Sequence, residues 1–386
     1  MADQTVDSAT PIDPTRPCLF DTLPFLDPAV MKLNVREKAD YRHVHNLSSN
    51  ESDLPETRAL FRRYLEQATE TNVTRYPNWP GLIRTTARFY DVPHTSLVMD
   101  AGSDSAIRMV LGLLGRSIGR LILQTPNYSN YNHYAALAGV AVTPLNHPTD
   151  LWGESIVDLA REPLTTSPPA LVVVTNPNGI TGTRIPLAEM QRLCDLCAQG
   201  NHLLLIDEAY APFASVPHLP LLHRYSGVVI LRSFSKNCGM AGLRLGLVIT
   251  SAALAAYLHR WYGVHTVNAM AAGYLAFCFD NASDVANFHH RIEATRKVVA
   301  RRVSHLFPSW RIPPSETNFL LMDTGQSGTA SLLADHLRTR KIQVKRFEDG
   351  PHGLRSCLRM TIGDPTLMTT VLSEMESFSS QEGDGS

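Results

Sequence analysis

The stretch RSFSKNCGMAGLRLG, residues 232–246, sets Lys236 between serines, with a glycine-punctuated turn just downstream. Lysine is scarce in this chain: the others are Lys32, Lys38, Lys297, Lys341 and Lys345, against a large number of arginines. An apolar run, GVVIL at 227–231, leads into the stretch, so Lys236 is expected just past the end of a buried strand. Ser233 and Ser235 flank it, and Arg244 follows eight residues on. Hydroxyls and a guanidinium together suit a phosphate, since arginine brings charge and forked donors. A lysine beside such a pocket fits either nucleotide binding or an imine with a phosphorylated aldehyde. No G-x-x-x-x-G-K-[ST] loop accompanies it, which counts against the nucleotide.

Working outward, similar apolar runs occur at 119–124 (GRLILQ), 170–175 (ALVVVT), 202–206 (HLLLI) and 245–249 (LGLVI). Each ends in polar or turn residues, and helix-like segments such as 186–199 separate several of them. Continuous runs of this kind suit strands buried on both faces, hence an α/β fold with a central, at least partly parallel sheet. In such sheets ligands bind at the carboxyl ends of the strands. The loops to inspect are therefore TPNY (125–128), TNPNGITG (175–182), DEAY (207–210) and SFSK (233–236). The last hundred or so residues read differently. A long helix is expected over 284–306, followed by strands at 317–322, 342–347 and 357–362, which make a second, smaller α+β domain. The expected division is an N-terminal tail and arm over 1–45 joining the small domain, a large domain over 46–270, and a small domain over 271–386. The closing residues, about 379–386, read as a disordered tail.

Bulk properties narrow the function. With 44% apolar and 18% charged residues among 386, the chain can bury a substantial core. Its formal net charge is −1 and no basic stripe alternates with aromatics, so nucleic acid is not the expected partner. The start, MADQTVDSATPIDPTRP, lacks the charged and apolar regions of a signal peptide. The most apolar stretch, 269–279, is shorter than the ~20 residues a bilayer requires. A cytoplasmic protein without membrane association is expected. Cys194 and Cys197 form a C-x-x-C inside a helix-like segment with no second pair at metal spacing, so they are read as helix-face residues and no metal is expected.

Three further features point to a site. Asp207 follows HLLLI, and a carboxylate at the end of a buried strand needs a cation or a capping role. A protonated pyridine nitrogen is one such cation, and Tyr210, three residues on, could bond a phenolic oxygen on the same ring. Within DAGSDSAIRMVLGLL (100–114), Gly102, Ser103, Asp104 and Ser105 open an amphipathic helix whose N–H groups form an anion site. In SCLRMTIGD, Arg359 lies between small residues on one strand face, as a substrate anion clamp or a structural ion pair.

The ordered set S-F-S-K, A-G-L-R-L-G, D-E-A-Y, N-P-N-x-x-T-G (176–182), R-Y-P (75–77), N-E (50–51), E-T-N-F (316–319) and C-L-R-M-T-I-G (357–363) resembles the fold-type I pyridoxal-phosphate enzymes. Specifically, it resembles the histidinol-phosphate aminotransferase-like branch, over residues 45–375. The resemblance implies pyridoxal 5′-phosphate as cofactor, a large cofactor-binding domain, and an amino-acid substrate. Lys236 would carry the cofactor as an imine and later move a proton at the substrate α-carbon. Ser103, Asp104, Ser233, Ser235 and Arg244 would surround the phosphate, joined by Tyr76 from the other subunit of a homodimer. Tyr128 would stack on the ring, Asp207 would pair with its nitrogen, and Tyr210 would meet its phenolic oxygen. Arg359, Asn318 and Asn50 would bind substrate.

Two departures qualify this. The family loop usually reads N-N-P-T-G, its second asparagine donating to the phenolic oxygen; here that position is Gly179, followed by Ile180. The task would fall to Tyr210 unless Asn178 swings over. Arg346 is one residue out of phase with an arginine that histidinol-phosphate aminotransferases place near Lys345, so on a strand it faces the other way. Histidinol phosphate is therefore not the expected substrate. His133 is read as a helix-surface residue, or else as lining the pocket. The expected activity is transamination, with specialised, antibiotic-type metabolism as a setting; the alternative is a decarboxylase, a β-eliminating C–S lyase or a decarboxylation-coupled oxidative deaminase, for example on a cysteine S-conjugate. A cofactor-binding sensor of a transcription regulator is disfavoured, since the first 45 residues are polar and show no basic helix.

Overall fold

The computed structural model describes residues 44–146, 155–214, 218–261, 266–347 and 352–383, with Val30 and Leu33. The expected tail and arm at 1–45 lie almost wholly outside the described residues. The strands are β1 His45–Asn46, β2 Leu97–Asp100, β3 Arg120–Thr125, β4 Ala141–Asn146, β5 Leu171–Thr175, β6 Leu203–Asp207, β7 Val228–Ser233, β8 Gly246–Thr250, β9 Phe319–Asp323, β10 Ile342–Gln343, β11 Lys345–Arg346 and β12 Cys357–Thr361.

Seven of them form the main sheet, in the order β2-β8-β7-β6-β5-β3-β4. From β4 to β7 every pairing is parallel, whereas β8 runs antiparallel to both β7 and β2. Side chains alternate between two apolar layers, which is why the strands read as unbroken apolar runs. Leu171 and Val173 enter one layer with Ile107, Tyr131 and Leu258, from helices Ser103–Val110, Asn130–Ala138 and Ala252–Leu258. Val172 and Val174 enter the other, with Leu164, Leu193 and Leu275 from helices Ile156–Thr166, Leu187–Gln199 and Ala269–Asp280. Each fully buried valine or leucine contributes about 1.5–3 kcal/mol. Cys194 and Cys197 are buried free thiols on the core face of Leu187–Gln199.

Two strands of the main sheet lacked a sequence signal. β2 has only four residues, and β4 contains Pro144, tolerated because β4 is an edge strand. The expected strand at 342–347 is instead divided: Ile342–Gln343 pairs with β1, and Lys345–Arg346 pairs with β12. Buried Val344 marks the point where the chain changes sheets. β11, β12 and β9 form an antiparallel sheet, packed against the long helix Ala282–Leu306 and the helix Ser327–Thr339, with the C-terminal helix Pro365–Gly383 lying against both helices. That last helix runs past the expected start of the closing tail, anchored by buried Phe378 and by Ser379 Oγ, which donates to the Leu306 carbonyl at 3.4 Å. These elements belong to one compact unit, Ala39–Ser386. Among the described residues, no helix is long and apolar enough to cross a membrane.

Candidate active site

The carboxyl ends of β3, β5, β6 and β7 lie along one edge of the main sheet. Thr175 is in register with Asp207, and Asp207 with Leu231. Because β8 runs the other way, its first residue, Gly246, faces this same edge, opposite Ser233 and Asp100. All four expected loops converge here, together with the start of helix Ser103–Val110 and the turn that carries Arg244.

Two glycines make that convergence possible. A Cβ on Gly246 would fall 2.5 Å from the carbonyl carbon of Gly102, and a Cβ on Gly102 would fall 2.6 Å from Arg244 Nη2. Gly102 has φ +91°, favouring glycine, and Arg244 itself holds φ +56°. A left-handed arginine costs of order 1 kcal/mol, and such outliers cluster at ligand sites. Arg244 Nη1 donates to Ser235 Oγ at 3.4 Å, and Nη2 lies 3.7 Å from Asp104 Oδ2. Ser233 and Ser235 are buried beside it. Helix N–H groups, hydroxyls and a guanidinium thus share one anion-sized cradle. Next to it stands Tyr128, whose ring is exposed but whose hydroxyl is tethered: it donates to Asp104 Oδ2 at 3.4 Å and accepts from Asn130 Nδ2 at 2.9 Å.

Asp207 is 4% exposed. Its Oδ2 accepts from the Tyr131 hydroxyl at 2.8 Å and its Oδ1 from the Ala209 N–H at 3.0 Å. Burial pushes its carboxyl up to about 6, although both hydrogen bonds pull the other way. No cation reaches it among the described residues. Tyr131 was not anticipated, because an aromatic residue inside an amphipathic helix reads as core. A sequence cue was its place three residues after Tyr128, at the start of helix Asn130–Ala138.

Lys236 lies in the short turn Phe234–Asn237. Its Nζ donates to the Ser49 carbonyl at 2.7 Å. Burial lowers the amine to about 8, with Glu51 acting in the opposite sense. The turn is held from both sides: Ser52 Oγ donates to the Lys236 carbonyl, and His289 Nε2 to that of Asn237, both at 2.8 Å. Arg359 donates from Nη1 to the Gly179 carbonyl at 2.7 Å and from Nη2 to the Ser48 carbonyl at 2.9 Å. Its partners are carbonyls rather than a carboxylate, so the structural ion pair that the sequence left open has no counterpart among the described residues. Burial lowers its pKa from the usual arginine value.

Asn318, fully buried, donates to the Asn50 carbonyl at 3.0 Å, and Asn50 donates to the Tyr210 hydroxyl at 2.7 Å. Asn178 does not swing toward that hydroxyl. Its amide donates to the Pro126 carbonyl at 2.9 Å, and its oxygen accepts from the N–H groups of Ile180 and Thr181 at 2.8 and 3.0 Å. It shapes the loop on which Gly179 sits, where a Cβ would lie 3.2 Å from Tyr210 Cε2. In the small sheet Lys345 is in register with Arg359 and Arg346 with Leu358. Lys345 therefore shares the face of Arg359, while Arg346 turns away and donates to Ser331 Oγ at 2.9 Å. His133 is half-buried on helix Asn130–Ala138, its ring 5.5 Å from that of Tyr134. Tyr76 is 75% exposed, just beyond helix Thr71–Thr74.

Residues 42–374 match the family model of aminotransferase class I and II. The chain is similar to a histidinol-phosphate aminotransferase of Granulibacter bethesdensis, 30% identical over 349 residues that cover 88% of this chain and 90% of the relative. Among solved structures it resembles the histidinol-phosphate aminotransferase of Clostridium acetobutylicum, with a TM-score of 0.77, 20% identity, and 88% of this chain and 100% of that one covered. It also resembles the L-threonine-O-3-phosphate decarboxylase of Porphyromonas gingivalis, with a TM-score of 0.74, 18% identity, and coverage of 87% and 99%.

Proposed function

The chain belongs to the aminotransferase class I and II family of pyridoxal-phosphate enzymes, and from that membership we propose that it transaminates an amino acid and not the amino alcohol histidinol phosphate. One observation carries the reading. Asp207 and Lys236 are a buried acid and a buried amine, and among the described residues each is hydrogen-bonded only by neutral partners. A cationic pyridine nitrogen and an aldehyde are the groups those two side chains lack.

The residues fit the cofactor. Gly102, Ser103, Asp104, Ser233, Ser235 and Arg244 would hold its phosphate, with Gly102 and Gly246 leaving the space that a side chain would fill. Tyr128 would cover the ring, Asp207 would face its nitrogen, and Tyr210 would face its phenolic oxygen. Bound there, the ring supplies an electron sink for charge developing at the substrate α-carbon. Lys236 Nζ would move the proton at that carbon, and an amine lowered to about 8 is an effective base near neutral pH. Arg359 would orient the substrate by its anionic group. Exposed Tyr76 would reach the phosphate site of a second copy in a homodimer, and residues 46–270 and 271–386 would serve as large and small domains in a cytoplasmic enzyme. Arg346, turned onto the far face of its strand, supports a substrate other than histidinol phosphate.

A panel of amino donors, histidinol phosphate included, incubated with 2-oxoglutarate tests this. Glutamate should appear with at least one amino acid and not with histidinol phosphate. A second reading, decarboxylation or elimination, is favoured by Gly179, where the family's loop asparagine is absent. Carbon dioxide, ammonia or a thiol released without any keto acid would establish it in place of transamination.

A further inference from the structure

Asn50 is held on every side. Its N–H donates to Thr361 Oγ1 at 3.0 Å, and its carbonyl accepts from Asn318 Nδ2 at 3.0 Å. Its side-chain oxygen accepts from Thr361 Oγ1 at 3.2 Å, and its amide nitrogen donates to the Tyr210 hydroxyl at 2.7 Å. It is 1% exposed and holds φ +54°. That backbone is unfavourable for most side chains, and asparagine is among those that tolerate it best. The arrangement fixes one amide N–H on one phenol.

A phenol has a single proton. When a neighbouring amide donates to its oxygen, that proton is left for another acceptor, and it becomes a stronger donor because the bonds polarise one another. Tyr210 accepts from Asn50, and among the described residues its own proton has no acceptor. Gly179 lies against the ring, where a Cβ would approach Tyr210 Cε2 to 3.2 Å. Tyr210 therefore crowds a side chain at 179, and an amide reaches its hydroxyl from residue 50 instead.

We infer that Asn50 is a positioning residue that turns the Tyr210 hydroxyl into a fixed donor toward the cofactor's phenolic oxygen, supplying from residue 50 the amide missing at Gly179. The inference rests on the pyridoxal-phosphate reading of Lys236 and Tyr210. It assigns Asn50 an indirect role through Tyr210, in place of the direct substrate contact that the resemblance implies.

The test is a spectrophotometric pH titration of the visible band of the Lys236-linked cofactor in the holoenzyme. A donor to the phenolic oxygen stabilises its anionic form and lowers the midpoint. Asn50→Gly keeps the left-handed backbone and removes the amide. Asn50→Asp keeps the shape but presents an acceptor that draws the tyrosine proton away. Both should raise the midpoint by about 0.5–1 pH unit, the size expected for one net hydrogen bond. In a Tyr210→Phe background, Asn50→Gly should shift it by less than about 0.2 unit, because the two act as one unit. An unchanged midpoint with a raised substrate KM overturns the inference in favour of direct substrate contact. An equal shift with and without the tyrosine hydroxyl also overturns it. If the wild-type protein shows no such band, the reading of Lys236 fails first, and the two failures are told apart.

Discussion

Asp207 and Glu208 are adjacent in sequence and both deeply buried, yet their environments are opposite. Asp207 faces the loop edge with only a phenol and an N–H for company, and burial pushes it up to about 6. Glu208 faces away, with Arg232 Nη2 at 2.6 Å and His218 Nδ1 at 2.7 Å. Burial would push Glu208 up as well, but Arg232 and His218 outweigh it and hold its carboxyl below the usual range. The rear cluster extends to Asn176 Nδ2, 3.0 Å from His218 Nε2, and so braces the loop that carries Gly179. Among the described residues, the charge of Glu208 is met by a cation and that of Asp207 is not. The rear cluster belongs to the fold, and the front one is where the proposed cofactor would supply the missing charge.

The sharpest way to break this contrast is Lys236→Ala. If the front of the site exists for a lysine-linked cofactor, the visible band should vanish and activity should fall by roughly 10⁴-fold or more, with the urea midpoint nearly unchanged. A retained band would erase the distinction. Next comes Glu208→Gln, which leaves Arg232 buried beside a neutral partner. Breaking a buried pair from one side costs about 3–5 kcal/mol, so the urea midpoint should drop sharply while loaded protein keeps its band. A band lost without loss of stability would mean that the rear cluster serves the ligand after all.

The two acids also differ in the sign of their pH dependence. The folded-state value of Asp207 is raised from 3.8 to about 6, so folding is disfavoured progressively as pH rises through that window. The penalty is complete above it, at about 3 kcal/mol. For Glu208 the folded-state value is lowered, so its contribution is present above the ordinary 4.5 and is lost as pH falls through the folded value. In cofactor-free protein, the stability of wild type relative to Asp207→Asn should therefore fall between pH 4 and 7, by up to about 3 kcal/mol. A difference that stays constant across that range would mean the acid is not destabilised by burial.

The front half of this contrast is legible in the sequence, and the reason is local. The apolar runs ending at Thr175, Asp207 and Ser233 are buried on both faces, so the carboxyl-end loops could be located from composition alone. The period-2 argument that turned Arg346 away from the site needed only strand geometry, and the register of β11 with β12 agrees with it. What stayed hidden depends on distant partners. Tyr131 looks like a core residue until Asp207, 76 positions away, is placed against it. Asn50 is recognisable as part of a motif, but its bond to Tyr210 spans 160 positions. The sequence of Glu208, His218 and Arg232 carries no sign that they meet. Strand β4 was missed because Pro144 is allowed only at an edge, and edge position is a property of the whole sheet.

The smallest effect is expected at Gly179, where front and rear meet: the loop is braced by Asn176 behind and touches Tyr210 and Arg359 in front. A methyl group at 3.2 Å from Tyr210 Cε2 is a tight contact that a few tenths of an ångström would relieve. Gly179→Ala should cost about 1 kcal/mol through this crowding. It should also raise the midpoint of the cofactor band slightly, because the ring that carries the phenol is displaced from Asn50. Gly179→Asn brings the same crowding plus an amide, so relative to the alanine variant its midpoint should be lower. Comparing the two variants separates shape from hydrogen bonding, which neither does alone. Equal midpoints would mean that Tyr210 already saturates the phenolic oxygen, and the glycine would then matter for the room it leaves rather than for the donor it lacks.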